Sequence, residues 1–294
     1  MSYLKSEERL MRYPTISLTG AVVLVTGGGR GIGAATAARF ARRGAHVWLG
    51  DLDLDVAEQT AAEIGATAHA LDVTDRSSFT AFASAALTAH GQIDVLVNNA
   101  GVMPLGDFLT ETDAVSRTTF DVNVFGLING MRTVLPHLIE RGRGHVVNVA
   151  SMAGKIPVPG MAVYNGSKFA ALGLSLAVRE EYAPHGVSVS AVLPSAVRTR
   201  LASGVPLGRG MPTVEPDDVA MAVVGSVTHR RPEIPVPGYL AGWDVVSALV
   251  PESVLRVGRR FVGDRRALTS IDHTTRGAYD NAIDEQARSR GASA

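Results

Sequence analysis

An α/β protein, with a parallel sheet covered by helices on both faces, is the fold class that this sequence predicts. Three observations predict it. Short runs rich in β-branched residues alternate with longer amphipathic stretches from residue 21 to about 200, a glycine cluster follows the first run, and no internal repeat or low-complexity tract breaks the pattern. Parallel strands need crossover connections, and those crossovers are right-handed, so helices come to lie on both faces. In such a sheet ligands sit at the carboxyl ends of the strands, and the chemistry is to be sought just after each strand.

The strands are read at Ala21–Thr26, His46–Leu49, Val95–Asn98, His145–Val149 and Ser188–Leu193, each bounded by Gly, Asn, Asp or Pro. Their continuous apolar content marks them as buried on both sides. Between them Ala34–Arg43, Val56–Ile64 and Ser77–His90 carry apolar residues at helical spacing. Beyond residue 200, LASGVPLGRGMPTVEP is rich in Gly and Pro and reads as a mobile loop. EPDDVAMAVVGSV then restarts a helix, with acids in the first turn where the helix dipole favours them. The prolines of RRPEIPVPG allow only an edge strand. In the tail, Trp243–Arg266 mixes apolar runs with arginines on a helix-compatible pattern broken at Pro251. It reads as a helix packed on its own domain or on a sister subunit. A lid over the substrate cleft and peripheral membrane contact are the other readings.

Composition narrows the function. The chain has 294 residues, with 28 Lys and Arg balanced by 28 Asp and Glu, so it offers no electrostatic case for nucleic acid or an acidic membrane surface. Cysteine is absent, which excludes disulfides, thiolate catalysis and Cys-based zinc sites, and no metal site is expected. The start, MSYLKSEERLMRYP, is charged where a signal peptide would be apolar, and reads as cytoplasmic. No window approaches the roughly 18 to 20 uninterrupted apolar residues of a spanning helix, so no integral membrane association is expected.

Thr26–Gly33 reads TGGGRGIG and runs into AATAARFARRG. Glycines at a strand-to-helix turn admit positive φ and let the backbone approach a pyrophosphate at the helix N-terminus. A plain tight turn is the alternative for a lone motif. Here the motif lies in a βαβ unit, and Asp51 follows about 20 residues on, just past the second strand, which points to a dinucleotide. A carboxylate at Asp51 can accept hydrogen bonds from both adenosine ribose hydroxyls and repels a 2′-phosphate, favouring NAD over NADP. Arg30, inside the loop, pulls the other way. Asp72, in LDVTD, follows a further strand without assigned bounds that counts as the third and makes Val95–Asn98 the fourth, and it suits the adenine edge or a turn cap. NNAG, Asn98–Gly101, can brace neighbouring strands and leave room for a ribose, or form an ordinary Asn-rich turn.

YNGSK spans residues 164–168. If Ala162–Tyr182 is one helix, Tyr164 and Lys168 share a face one turn apart. A free phenol with a pKa of about 10 is a poor base at neutral pH, and a neighbouring ammonium lowers that pKa toward the working range. For the pair alone, a surface Tyr and Lys is the plainer reading. Ser151, at the end of the fifth strand, shifts the balance, because its hydroxyl can meet a substrate oxygen held beside the phenol.

Taken in order, TGGGRGIG, Asp51, NNAG, NVFG with Asn123, Ser151 in NVASMAG and YNGSK make residues 18 to about 200 resemble the classical short-chain dehydrogenase/reductase (SDR) family. The resemblance implies a Rossmann-type, doubly wound sheet of about seven strands, and interconversion of alcohols and carbonyls with a nicotinamide cofactor. It implies that Tyr164 is the general acid or base, Lys168 lowers its pKa and holds the nicotinamide ribose, Ser151 orients the substrate oxygen, and Asn123 holds a water linking Lys168 to solvent. The implied cofactor contacts are Gly27, Arg30, Gly31, Ile32 and Gly33, then Asp51, Leu52, Asp72 and Val73, then Asn99, Ala100 and Gly101. Tyr164, Lys168, Pro194, Val197 and Thr199 complete them. The family's Pro-Gly pair after the sixth strand appears as PSAVRT, with Ser195 in the glycine's place. A homodimer or homotetramer is implied too, with Ala170, Ala171 and Gly173 permitting close packing.

The expected organisation is an N-terminal arm at 1–17, a catalytic and cofactor-binding domain at 18–238, and a helical C-terminal extension at 239–294 in the same folded unit. The expected function is NAD(H)-dependent interconversion of a secondary alcohol and its ketone. Met103, Pro104, Met152, Val158, Met161 and the loop Leu201–Met211 are candidate lining, mostly apolar, and favour an alicyclic or steroid-like substrate. The alternative is an NADPH-dependent carbonyl or ketoacyl-type reductase, motivated by Arg30. A nucleotide-sensing protein without catalysis is the last reading, disfavoured because it has no need of a tuned phenol.

Overall fold

The computed structural model describes residues 13–206, 212–251, 253–254 and 266–291. Its sheet has seven parallel strands: β1 Val22–Thr26, β2 His46–Asp51, β3 Thr67–Ala70, β4 Val95–Asn98, β5 Gly144–Val149, β6 Val187–Pro194 and β7 Glu233–Val236. Their spatial order is 3-2-1-4-5-6-7. The order reverses between β1 and β4, and that reversal opens a crevice at the carboxyl ends. Among the described residues, the α-helices of seven residues or more are α1 Gly31–Ala41, α2 Leu54–Ile64, α3 Arg76–His90, α4 Asp113–Phe120, α5 Gly126–Glu140, α6 Ala162–Tyr182, α7 Pro216–His229, α8 Trp243–Leu249 and α9 His273–Gly291.

Two cores follow from the two-residue period of the strands. Val22 and Leu24 face the side covered by α3, α5 and α6, where Phe79, Phe82, Met131, Leu138 and Leu172 pack. Val23 and Val25 face the other side, against Phe40 of α1, Ala57 of α2 and Val223 of α7. Local signals set the helix ends: Asp53, Asp75 and Thr112 cap N-termini, and Gly65 and Gly91 close C-termini in the left-handed region. β7 pairs with β6 alone at the sheet edge, where its Pro235 is tolerated.

α1 begins at Gly31, inside the glycine motif, rather than at Ala34. Glycines have low helix propensity, so the first turn is silent in a propensity reading. The extension is helical as expected, but the bounds of α9 are not marked in the sequence pattern; α9 packs on α4. Of the Trp243–Arg266 stretch, Trp243–Leu249 is helical, and residues 255–265 lie outside the described residues, as do 207–211 of the loop. Among the described residues no helix is long and apolar enough to cross a membrane.

A buried polar bridge holds the centre of the sheet. Asn98 Nδ2 donates to Asn148 Oδ1 (2.9 Å), and Asn148 Nδ2 donates to Ser175 Oγ on α6 (2.9 Å). α5 crosses this bridge at Gly130, where an added Cβ would overlap Asn98 Oδ1 and stand 2.7 Å from the Phe79 ring. Gly130→Ala should therefore lower stability by about 1 to 3 kcal/mol, read as a reduced urea midpoint with an unchanged m-value.

Candidate active site

The crevice floor is the glycine loop. Gly27 and Gly31 take φ of 61° and 58°, and a Cβ on Gly33 would overlap the Gly27 carbonyl. α1 thus presses on the loop with no room for a side chain. Arg30 stands at its N-cap without a side-chain cap hydrogen bond, so the first-turn amides keep the donors that an anion can take. Asn99 is the loop's brace: Nδ2 donates to the carbonyls of Thr26 (2.9 Å) and Gly27 (3.0 Å). The amides of Asn99 and Ala100 donate to Thr26 Oγ1.

Asp51 ends β2 and accepts the Gly29 amide at 2.9 Å, while Arg30 is paired with Asp53 at 2.6 Å. Leu52 is exposed beside Asp51. Asp72 caps a turn, accepting from the Thr74 amide and hydroxyl, and buried Val73 packs beneath Gly126. From the far wall, Thr199 Cγ2 comes within 3.4 Å of where a Cβ on Gly31 would stand. Pro194 ends β6, and buried Val197 pairs in a short two-strand ladder with Val214. Ser195 needs no glycine: Arg230 is the only non-glycine residue with positive φ among those described, and the Ser195 amide donates to Val236 O.

Ala162–Tyr182 is one helix, and it carries Tyr164 and Lys168, both 6% exposed, into the carboxyl end of the sheet. Ser151 begins the short helical turn Met152–Gly154, where its Oγ accepts the Ala153 amide at 3.0 Å. Lys168 Nζ donates to Val149 O (3.1 Å) and lies 5.7 Å from the Tyr164 ring centroid. Burial raises the phenol above its ordinary range, against the hydrogen bond to Ser151 that lowers it. Burial also pushes the Lys168 ammonium down to about 8. The sequence leads one to expect the ammonium to lower the phenol; in the protein's own surroundings desolvation sets the direction instead, and the lowering influence comes from Ser151.

Asn123 lies in a π-helical turn, Asp121–Phe125, between α4 and α5. Its Oδ1 accepts the Val102 amide, and its Nδ2 donates to Val102 O and Ser167 Oγ, pinning the loop after β4 to α6. A cavity of about 10 Å³, room for roughly one water, is lined by Asn123, Lys168, Thr26 and Asn98. Around Tyr164 pack Met103, Ala153, Leu105, Met161 and Leu201. Met152, expected in the cleft, belongs to the core instead.

Three residues went unread in the sequence. Asn165 donates to Ala153 O and Ile156 O, shaping the loop that carries Ser151. Its position within YNGSK was the available signal. Arg276 and Tyr279 of α9 hydrogen-bond the backbone of Met103. Asp272, a capping type ahead of a helix-compatible run, was the signal for α9.

Comparison with known proteins gives the family. A family model described as short chain dehydrogenase matches residues 21–208, and the chain belongs to that family. It is 34% identical over 249 residues to estradiol 17-beta-dehydrogenase 11 of Mus musculus, covering 82% of this chain and 83% of that protein. Among solved structures, a 3-ketoacyl-(acyl-carrier-protein) reductase from Brucella melitensis complexed with NADH superposes with a TM-score of 0.69 at 33% identity, over 75% of this chain and 98% of that one. A metagenomic short-chain oxidoreductase in complex with NADP gives 0.66 at 35% identity, with the same coverages of 75% and 98%.

Lys168 makes stability depend on pH. Its folded pKa lies below the unfolded value, so between about pH 8 and 10 the unfolded chain holds the extra proton and folding gains as pH rises. Tyr164, shifted upward, reverses the trend only above about pH 10. Without cofactor, the wild type should gain on the order of 2 kcal/mol across that window relative to Lys168→Met, measured by urea unfolding at each pH.

Proposed function

We propose that this protein interconverts a hydrophobic secondary alcohol and its ketone with a nicotinamide cofactor, NAD(H) in preference to NADP(H). The observation that carries this reading is the convergence of Ser151, Tyr164 and Lys168 beside a glycine-built anion cradle. The cradle fits the cofactor: Gly27–Gly33 would hold the pyrophosphate, Asp51 and Leu52 the adenosine, and Lys168 and Thr199 the nicotinamide end. When bound, the cofactor supplies the hydride acceptor or donor.

The chain's residues do the rest. In reduction Tyr164 gives its hydroxyl proton to the carbonyl oxygen, which Ser151 steadies by a hydrogen bond; in oxidation the phenolate takes the alcohol proton. Lys168 contributes positive charge one turn along α6. Asn123 holds the loop after β4, and the small cavity beside Lys168 suits a water on a proton path to solvent. The apolar lining and the steroid activity in the mouse relative's name support a bulky hydrophobic substrate.

Cofactor choice rests on charge. Asp51 sits against the glycine loop, its carboxylate accepting the Gly29 amide, and Arg30 is engaged with Asp53. The second reading, an NADPH-dependent ketoacyl-type reductase, is favoured by Arg30 and by the NADP-bound neighbour. A subunit contact through exposed Phe120, Phe125 and Phe169 belongs to the main reading.

Tyr164→Phe should cut turnover about 100- to 10,000-fold while NADH binding by fluorescence stays unchanged; retained turnover would refute the mechanism. Because burial keeps the phenol protonated, alcohol oxidation should accelerate with pH from 7 to 9, whereas ketone reduction should not. Asp51→Ala should erode the NAD preference about tenfold or more in paired NADH and NADPH titrations; an unaltered preference would favour the second reading.

A further inference from the structure

Among the described residues of the C-terminal extension, the most completely buried large side chain is a charged one. Arg276 of α9 is 0% exposed. Its guanidinium donates to Met103 O in the loop after β4, and to Leu201 O (3.2 Å) and Ser203 O (3.0 Å) in the loop after β6. It lies 4.9 Å from the Tyr279 ring centroid, and its Nε is 2.9 Å from Asp280 in an ion pair. One turn on, the Tyr279 hydroxyl accepts the Met103 amide at 3.0 Å. Burying a guanidinium is costly unless it is compensated, and here loop carbonyls take hydrogen bonds from Nη1 and Nη2 while Nε, without a hydrogen bond, is met by the Asp280 charge.

Backbone contacts repeat the pattern at the edges of α9. The Asp272 amide donates to Gly204 O at 2.8 Å, and a Cβ on Gly204 would stand 2.6 Å from Asp272 O. A Cβ on Gly160, in the loop before α6, would stand 2.6 Å from Ala267 O. Three loops around Tyr164 are thus touched by the segment that begins at 266. Two of them supply Met103 and Leu201, which pack in the cluster around the phenol. Meanwhile the Brucella reductase aligns over 98% of its own length with 75% of this chain, so about a quarter of this chain has no counterpart there.

We propose that α9 is a strap that sets the width of the substrate cleft, with Arg276 and Tyr279 as positioning residues that tie the loops after β4 and β6 into one wall. This rests on the dehydrogenase reading for its substrate, a bulky apolar alcohol or ketone, and on geometry alone for the strap. Arg276 touches only backbone carbonyls of these loops, so it acts through Met103 and Leu201. Three donors shared between two loops make it a cross-brace that one lysine ammonium reproduces only in part.

The test uses the full chain in three variants, Arg276→Met, Arg276→Lys and Tyr279→Phe, with two independent readouts. Amide hydrogen exchange of segments 101–106 and 199–206 should speed about tenfold or more in Arg276→Met, less in Arg276→Lys, and only in segment 101–106 for Tyr279→Phe. With cyclohexanol, a decalol and a steroid 17β-alcohol as probes, Arg276→Met should raise KM about tenfold for the steroid and less for cyclohexanol, with kcat and NADH affinity within about threefold. Unchanged exchange in both segments, or a fall in kcat at constant KM, would overturn the strap. If no alcohol is turned over by the wild type, the dehydrogenase reading fails while the exchange pattern still decides the strap. Should Arg276→Met not fold, the one-loop signature of Tyr279→Phe decides it.

Discussion

The rest of the site depends on backbone lying directly on backbone where α1 meets the glycine loop. Gly33 has no side chain because the Gly27 carbonyl occupies the space where a Cβ would stand, and Asn99 ties the same carbonyl to the end of β4. This contact brings the uncapped amides of α1 to the crevice at the strand-order reversal. It also aligns the ends of β1 and β4, and from there Asn98 and Asn148 carry the alignment through β5 to Ser175 of α6. The helix that bears Tyr164 and Lys168 is therefore registered to the glycine loop through side-chain amides buried between strands.

Burial gives the proposed catalytic pair its character. Removing water from both groups favours the neutral phenol and weakens the ammonium, and the hydrogen bond to Ser151 offsets only part of the first effect. The same closeness that excludes water is supplied by loops, and loops are the least self-sufficient parts of such a fold. Asn123, Asn165 and Arg276 each satisfy loop carbonyls from a helix or a helical turn. Rigid elements thereby lend order to the walls around Tyr164.

Much of this was legible in the linear pattern. Five of the sheet's strands, the edge position of β7, the continuity of α6 and the family itself followed from periodicity, proline placement and ordered motifs, whereas β3 at Thr67–Ala70 had no bounds in that reading. Where the reading fell short, the cause was context. The first turn of α1 is glycine, which hides a helix; Met152 looks like lining but faces the core; and the direction of the phenol's shift depends on how deeply it is buried.

Local chemistry along the chain determined the class of fold, the glycine cradle, the placement of Asp51 and the pairing of Tyr164 with Lys168, because each depends on spacing within one element or one strand-to-helix turn. Tertiary structure alone decided that Arg30 turns to Asp53, that Ser195 can replace a glycine, and that α9 reaches back to Met103. The Met103 contact joins residues 173 positions apart, and no periodicity records a hydrogen bond between a guanidinium and a carbonyl that distant in sequence.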